Sequence, residues 1–299
     1  MTSSTRMLTA LATVGSLLLL TGCGGDAVSE NTTGESTRTA DSAIADAVPD
    51  SIRADGKLTI GVDPNVPPLA FTDAATQELT GFEVDLAREI AGTMGLEAEF
   101  ATTPFSGLIA GLDARRYETV MSAVTDTKER QQTVDFIDYF NIGAGIMVQE
   151  GNPLGIAEQL DLCGTRTVVM GNSLGERAAD SVSKDCVAQG RPEVDKLVVQ
   201  GLPDIPQSLT TGRADAALNA MMGVVAAETA APDTFDVVGE AFNNIPAGAI
   251  THKEDVELRD AMAQAIVALQ DDGTYDRLLE QYDLGFGSLK GAPINSAEL

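Results

Sequence analysis

Cysteine and histidine have the most distinctive chemistry in this 299-residue chain, and there are few of them: Cys23, Cys163, Cys186 and His252. Cys23 follows Leu20-Thr21-Gly22, at the end of a mostly apolar run over residues 7–20 with Arg6 in front of it. That run is shorter than the roughly 20 apolar residues of a membrane span, so residues 1–22 read as an export signal. Small residues before a cysteine resemble the bacterial lipobox, whose thiol receives diacylglycerol and becomes the new N-terminus. The alternative is a plain secretory signal with an incidental cysteine. Cys163 and Cys186 remain, and two leftover thiols in an exported protein usually pair. The bridge would stabilise by about 3 kcal/mol in the chain-entropy model. The alternative is two buried free thiols. Too few ligands lie nearby for zinc, and one histidine leaves little room for a metal site or a serine–histidine triad. No phosphate-cradling glycine loop and no dinucleotide fingerprint is present, so no cofactor is expected and an enzyme is disfavoured.

Several polar residues stand where local structure also accounts for them. Asn172 and Ser173 precede a helix, where free N–H groups favour an anion, but the same residue types are common caps. Asp63 before Pro64 suits a turn. Ser122 and Thr125 end a strand, and Arg130 lies in a charged turn, TDTKER (125–130). The formal net charge of -26 opposes nucleic acid and anionic membrane as partners. It also repels anionic ligands at long range, so an acidic ligand needs a local cation to hold it.

These residues must be positioned by elements, and the pattern supplies them. Residues 23–48 are small and polar with few large apolar groups, and read as a flexible tether. Beyond it, strands and helices alternate, which predicts an α/β fold. Strands are expected at 58–62, 97–100, 119–124, 165–170, 196–200, 214–219 and 247–251. Helices are expected at 82–94, 105–112, 173–187, 204–211, 221–229, 256–269 and 274–281, with a helical turn at 128–134. The middle of the series has its own strands and helices. This gives two lobes, 49–142 plus 243–299 and 143–242, each a sheet flanked by helices, joined by two crossings suited to hinge closure.

Four segments, in order, make the pattern specific: LTIGVDPNVPPLAF (58–71) with LTGFEVDLAREIA (79–91), FSGLIAGLDARRYETVMSAVTDTKERQQTVDF (105–136), LCGTRTVVMGNS (162–173) with TGRADAALNA (211–220), and THKEDVELRDAMAQAIVALQDDGTYDRLLEQY (251–282). Over residues 58–284 the chain resembles the family 3 extracellular solute-binding proteins for polar amino acids, of the type II periplasmic binding protein fold. The resemblance implies the ligand-binding part of an ABC importer, monomeric, held to the cell membrane by lipid alone, with a membrane permease as partner. It implies that Arg130 grips a ligand carboxylate through its guanidinium fork. Ser122, the Ala123 backbone and Thr125 would bond the ligand's carboxylate and ammonium, and Asn172 and Ser173 would add contacts from the second lobe. Phe105 would form an aromatic wall, Asp63 would lie near the ligand side chain, and Phe71 and Asn219 complete the expected set.

Two departures bear on the ligand. The family's ammonium-binding aspartate is replaced by Ala220, and its first-loop aromatic by Val66. A buried ammonium without an acid is costly. So either Asp63, Asp126 or Glu83 substitutes, or the ligand has no α-ammonium. Other readings of the same fold are an enzyme like cyclohexadienyl dehydratase, needing a positioned acid or base, and a sensor read by a signalling partner.

Overall fold

The computed structural model describes residues 38–171 and 173–297, all within one compact unit. The expected export signal, Cys23, the tether up to residue 37, and Asn172 lie outside the described residues. The end of the expected tether needs correction. Residues Ser42–Ala47 form helix α1, capped by Asp41, whose carboxylate accepts the Ala43 and Ile44 N–H groups. Ile44 and Val48 are buried in the neighbouring core, and Arg38 pairs with Asp272. Two apolar side chains four residues apart suffice to dock a segment that composition alone reads as a tether.

The chain continues through α2 (Asp50–Asp55), β1 (Lys57–Val62), a small antiparallel sheet of β2 (Asn65–Val66), β3 (Ala70–Thr72) and β4 (Leu79–Thr80), and α3 (Phe82–Thr93). It then forms β5 (Glu97–Thr102), α4 (Leu108–Asp113), β6 (Thr119–Val120) and the long β7 (Val134–Gln149). The middle of the chain contributes β8 (Arg166–Met170), α5 (Leu174–Ala188), β9 (Asp195–Val199), α6 (Asp204–Thr210), β10 (Ala216–Ala220) and α7 (Met221–Ala230). β11 (Phe235–His252), α8 (Val256–Asp271) and α9 (Thr274–Gln281) follow.

The fold is the expected two-lobed α/β architecture, with one refinement. The sheets of the lobes are joined in a single order, β5-β1-β6-β11-β7-β10-β8-β9. β1 pairs in parallel with β5 and β6, and β8 with β9 and β10. β7 and β11 are antiparallel and run through both lobes as the two crossings. Their register shifts between Val238 and Phe242, again before Ile245, and between Ala247 and Gly248. Gly248 is required at the last shift, because a Cβ there would lie 2.5 Å from the Ile137 carbonyl oxygen.

The second lobe shows why its strands read as continuous apolar runs. Ile146, Val148, Val169 and Leu218 face α5, while Met147, Val168, Ala217, Ile205 and Met221 fill the opposite face. Both faces are buried, so alternation in space leaves no alternation in sequence. In the first lobe Leu58, Ile60, Leu86 and Ile90 pack with α8 and α9.

Cys163 and Cys186 form a disulfide with Cα atoms 5.7 Å apart. It ties the turn before β8 to the end of α5 across 23 residues. Replacing Cys163 by serine is expected to cost about 3 kcal/mol. Urea denaturation with and without reductant checks this; an unchanged midpoint on reduction would show that the bridge contributes nothing.

Candidate functional site

The candidate residues gather where parallel strands end, as expected for a ligand crevice in α/β sheets. In the first lobe they follow β1 and β6. Ser122 is fully buried, and its hydroxyl oxygen accepts the Asp63 N–H at 2.9 Å. Asp63 is also buried. Its Oδ1 accepts Asn65 N–H and the Asn65 side chain, and its Oδ2 accepts the Phe105 N–H at 2.8 Å. The serine and the aspartate thus brace the turn that carries Phe105. Both Asp63 oxygens are used in this way, while the Ser122 hydroxyl keeps its own proton to donate.

Thr125 and Arg130 form the exposed side of the cluster. Arg130 Nη1 donates to the Thr125 carbonyl at 2.8 Å and to its hydroxyl at 2.6 Å. The guanidinium carbon lies 6.0 Å from the centre of the Phe105 ring, which is 42% exposed. Among the described residues no carboxylate pairs with Arg130, and every other basic side chain that lacks an ion pair is exposed. A half-buried guanidinium, aimed by a neighbour that takes one of its amino groups, keeps further donors for an incoming carboxylate.

Ala123 adopts φ 49°, which turns the chain between Ser122 and Thr125 and ends the strand earlier than expected. Its N–H donates to Glu83 Oε1 at 2.7 Å. The Ala123 N–H is therefore spent inside the protein, and the carbonyl is what the residue can present. Glu83 stands in the first turn of α3 and is 1% exposed. It also accepts the Tyr139 hydroxyl from β7, and its Oε2 has no partner among the described atoms. Burial pushes its carboxyl up to about 7, against the lowering effect of the Tyr139 and Ala123 bonds.

Phe71, Ser173 and Asn219 make other contacts. Phe71 lies half-buried in β3, paired with Asn65 and Thr80. Ser173 caps α5: its hydroxyl accepts the Glu176 N–H and donates to the Met170 carbonyl. Asn219 sits beneath Gly223 at the start of α7 and lines a pocket within the second lobe with Met147, Leu202, Pro206 and Val224.

Of the three acids considered as substitutes for the residue at 220, Asp63 and Asp126 have both oxygens bonded, and Glu83 is bonded through Oε1 alone. Asp63 is bonded as above, Glu83 lies behind Ala123, and Asp126 is 1% exposed with both oxygens bonded to Gln131 and one also to Ala297 N–H. Ala220 itself precedes α7 with no side-chain cap. Beyond it, Met222 and Val225 face Pro67, Pro68, Tyr282 and Leu284 across an apolar crevice of about 350 Å³.

Comparison with known proteins fits this geometry. The family model for bacterial extracellular solute-binding proteins, family 3, matches residues 58–286. The chain is similar to the L-cystine-binding protein TcyJ of Escherichia coli, 32% identical over 232 residues that cover 77% of this chain and 84% of that one. It is similar to the arginine-binding protein ArgT of Corynebacterium glutamicum, 31% identical over 256 residues, 84% of this chain and 82% of that one. Among solved structures, the unliganded open L-cystine solute receptor of Neisseria gonorrhoeae superposes with a TM-score of 0.70 at 26% identity, over 80% of this chain and 97% of that one.

Proposed function

The chain belongs to the bacterial extracellular solute-binding proteins, family 3, and on that premise we propose that it captures an amino acid or amino-acid derivative between its lobes and delivers it to an ABC permease. The observation that carries the reading is Arg130: a half-buried cation, aimed by Thr125 over Phe105, with no carboxylate partner among the described residues. In a protein of net charge -26, a half-buried guanidinium with no carboxylate partner among the described residues suits a carboxylate from outside. Lobes of 49–142 plus 243–299 and 143–242 would exchange near the register shifts of β7 and β11, and closure about these crossings would add second-lobe contacts to the Arg130 anchor. Export by residues 1–22 and a diacylglyceryl group on Cys23 would hold a monomer at the outer face of the cell membrane, within reach of the permease.

The ligand class follows from the second wall. Ala220 offers no acid, Asp63 and Asp126 are fully bonded, Glu83 is buried behind Ala123, and Met222 and Val225 are apolar. This supports a ligand with a carboxylate for Arg130 and no net positive charge. L-cystine, the ligand named for two of the relatives, heads the test panel, with L-arginine, L-histidine and ammonium-free carboxylates beside it.

A thermal-shift screen of the soluble chain tests this. A ligand at 100 times its Kd adds about 2.7 kcal/mol and raises Tm by about 5 °C in a protein of this size. A shift with L-cystine or another amino acid of no net positive charge is expected. A shift with L-arginine alone would overturn the ligand class. No shift with any carboxylate would overturn the proposed function.

A further inference from the structure

The last described residues do not trail from the final helix. They return to the first lobe and run along the start of β7. Asp138 N–H donates to the Pro293 carbonyl at 2.9 Å, and Ile294 bridges Ile137. Asn295 and Phe136 exchange two bonds: Phe136 N–H to Asn295 Oδ1 at 2.8 Å, and Asn295 N–H to the Phe136 carbonyl at 3.2 Å. Asn295 also donates to Asp135. Ser296 donates its N–H and hydroxyl to Asp138 Oδ2 at 3.1 and 2.6 Å. Ala297, 4% exposed, donates its N–H to Asp126 Oδ2 at 2.9 Å.

That last bond reaches the turn that carries Arg130. Asp126 is the turn's anchor. Its N–H donates to the Pro246 carbonyl of β11, and Gln131, the residue after Arg130, donates to both its carboxylate oxygens at 2.8 and 2.9 Å. Thr125 in turn bridges Ala247. We propose that the strap formed by residues 293–297 is a positioning element for the carboxylate-binding arginine: it fixes Asp126, and through Asp126 and Gln131 the turn that aims Arg130.

The physical reason lies in two acids. Asp126 and Asp138 are both buried and act on each other beneath the strap. Buried like charges repel strongly unless donors satisfy them. The strap supplies three donors to the pair: Ala297 N–H to Asp126, and Ser296 N–H and hydroxyl to Asp138. Burial and then the Asp126 charge already push the Asp138 carboxyl up to about 6, even with the Ser296 bonds in place. Without the strap the pair loses these donors, and Asp126 is the member attached to a turn that can move.

This inference rests on Arg130 as the ligand's anchor, so its test has one arm that needs no ligand. Two variants of the full chain are used. Ala297→Pro removes one N–H and keeps the rest of the strap; a second variant ends after Ala292. In the ligand-free protein, amide exchange of residues 125–133 is expected to quicken about tenfold or more in both, while β8 and β10 keep their protection. In the second arm, calorimetry with L-cystine, L-arginine and L-histidine reads affinity. Whichever binds the parent is expected to bind each variant about tenfold more weakly, and the loss is expected to shrink in an Arg130→Lys background because the strap acts through that side chain. Unchanged exchange over 125–133 would overturn the proposal. So would an affinity loss of the same size in the Arg130→Lys background, which would mark a role in stability alone. If none of the three probes binds the parent, the failure belongs to the proposed function, and the exchange arm decides the positioning role by itself.

Discussion

Replacing Arg130 by alanine is expected to weaken ligand binding by about 100- to 1,000-fold and leave the free protein folded. A charge-assisted hydrogen bond contributes about 1.5–3 kcal/mol, and the guanidinium can make two to one carboxylate. Their joint loss at the lower end of that scale, about 3–4 kcal/mol, corresponds to that range of affinity. Stability should change by about 1 kcal/mol or less, because the side chain is half-buried and its bonds go to Thr125 within the same turn. Arg130→Lys keeps the charge but not the fork, and should fall between parent and alanine. Titration calorimetry on the ligand found by the panel, with a thermal melt of each free variant, separates the two effects. Binding by the alanine variant within a factor of about three of the parent would remove Arg130 from the site. Salt provides a further check. The net charge of -26 repels an anion at long range while Arg130 attracts it at short range. Added salt should therefore speed association of an anionic ligand and change that of a zwitterion little.

The sequence disclosed elements wherever they carry a local signal. Helix α3 was expected at 82–94 from the fourfold spacing of Leu86, Ile90 and Met94 before Gly95, and it spans Phe82–Thr93. The crossings were not legible at their full length. β7 is buried along nearly all its residues, so it has no alternation to read, and Gly143 and Gly145 interrupt its propensity. Gly145 is nevertheless fitted to its place: a Cβ there would meet Met221 Sδ at 2.5 Å. β11 contains Pro246 and, at a register shift, Gly248, which read as loop. The strand expected at 119–124 pairs only over Thr119–Val120, because the positive φ of Ala123 breaks it.

At the site the difference has the same origin. Arg130, Thr125 and Phe105 come together as their motif implied. What the motif does not contain is the second layer of contacts. Asp63 meets Ser122 across 59 residues, Glu83 meets Ala123 across 40, and Asp126 meets Ala297 across 171. No period or spacing encodes contacts of that range. Two acids considered as ligand contacts, Glu83 and Asp126, prove to be internal supports of the same turn for this reason. Glu83 joins that turn to β7, and Asp126 joins it to β11 and to the strap.

Glu83 carries the second large expectation: the free protein should gain about 2–3 kcal/mol of stability between pH 8 and pH 5 from this one carboxyl. Its ordinary value of 4.5 is raised by burial to about 7. A group whose value is raised on folding binds its proton more tightly in the folded state. Its stabilising contribution is therefore fully present below about 4.5 and is lost as pH rises through about 7. Each unit of such a difference is about 1.4 kcal/mol, which sets the size. Asp138, raised by burial and by Asp126, adds in the same direction at slightly lower pH. The carboxylates lowered on folding, such as Asp135 with Asn295 and Arg259, oppose this only once pH falls toward the ordinary aspartate value of 3.8. Urea unfolding at intervals from pH 8 to pH 5 gives the slope, and Glu83→Gln assigns it, since an amide cannot take up the proton. A flat or falling profile over that window, or a Glu83→Gln profile as steep as the parent's, would mean that Glu83 is not the group responsible. The steep profile in the parent and a shallow one in the variant would place a titrating carboxyl between Ala123 in the ligand turn and Tyr139 in a crossing strand, so that the pH of the outer compartment acts on the same bonds that shape the site.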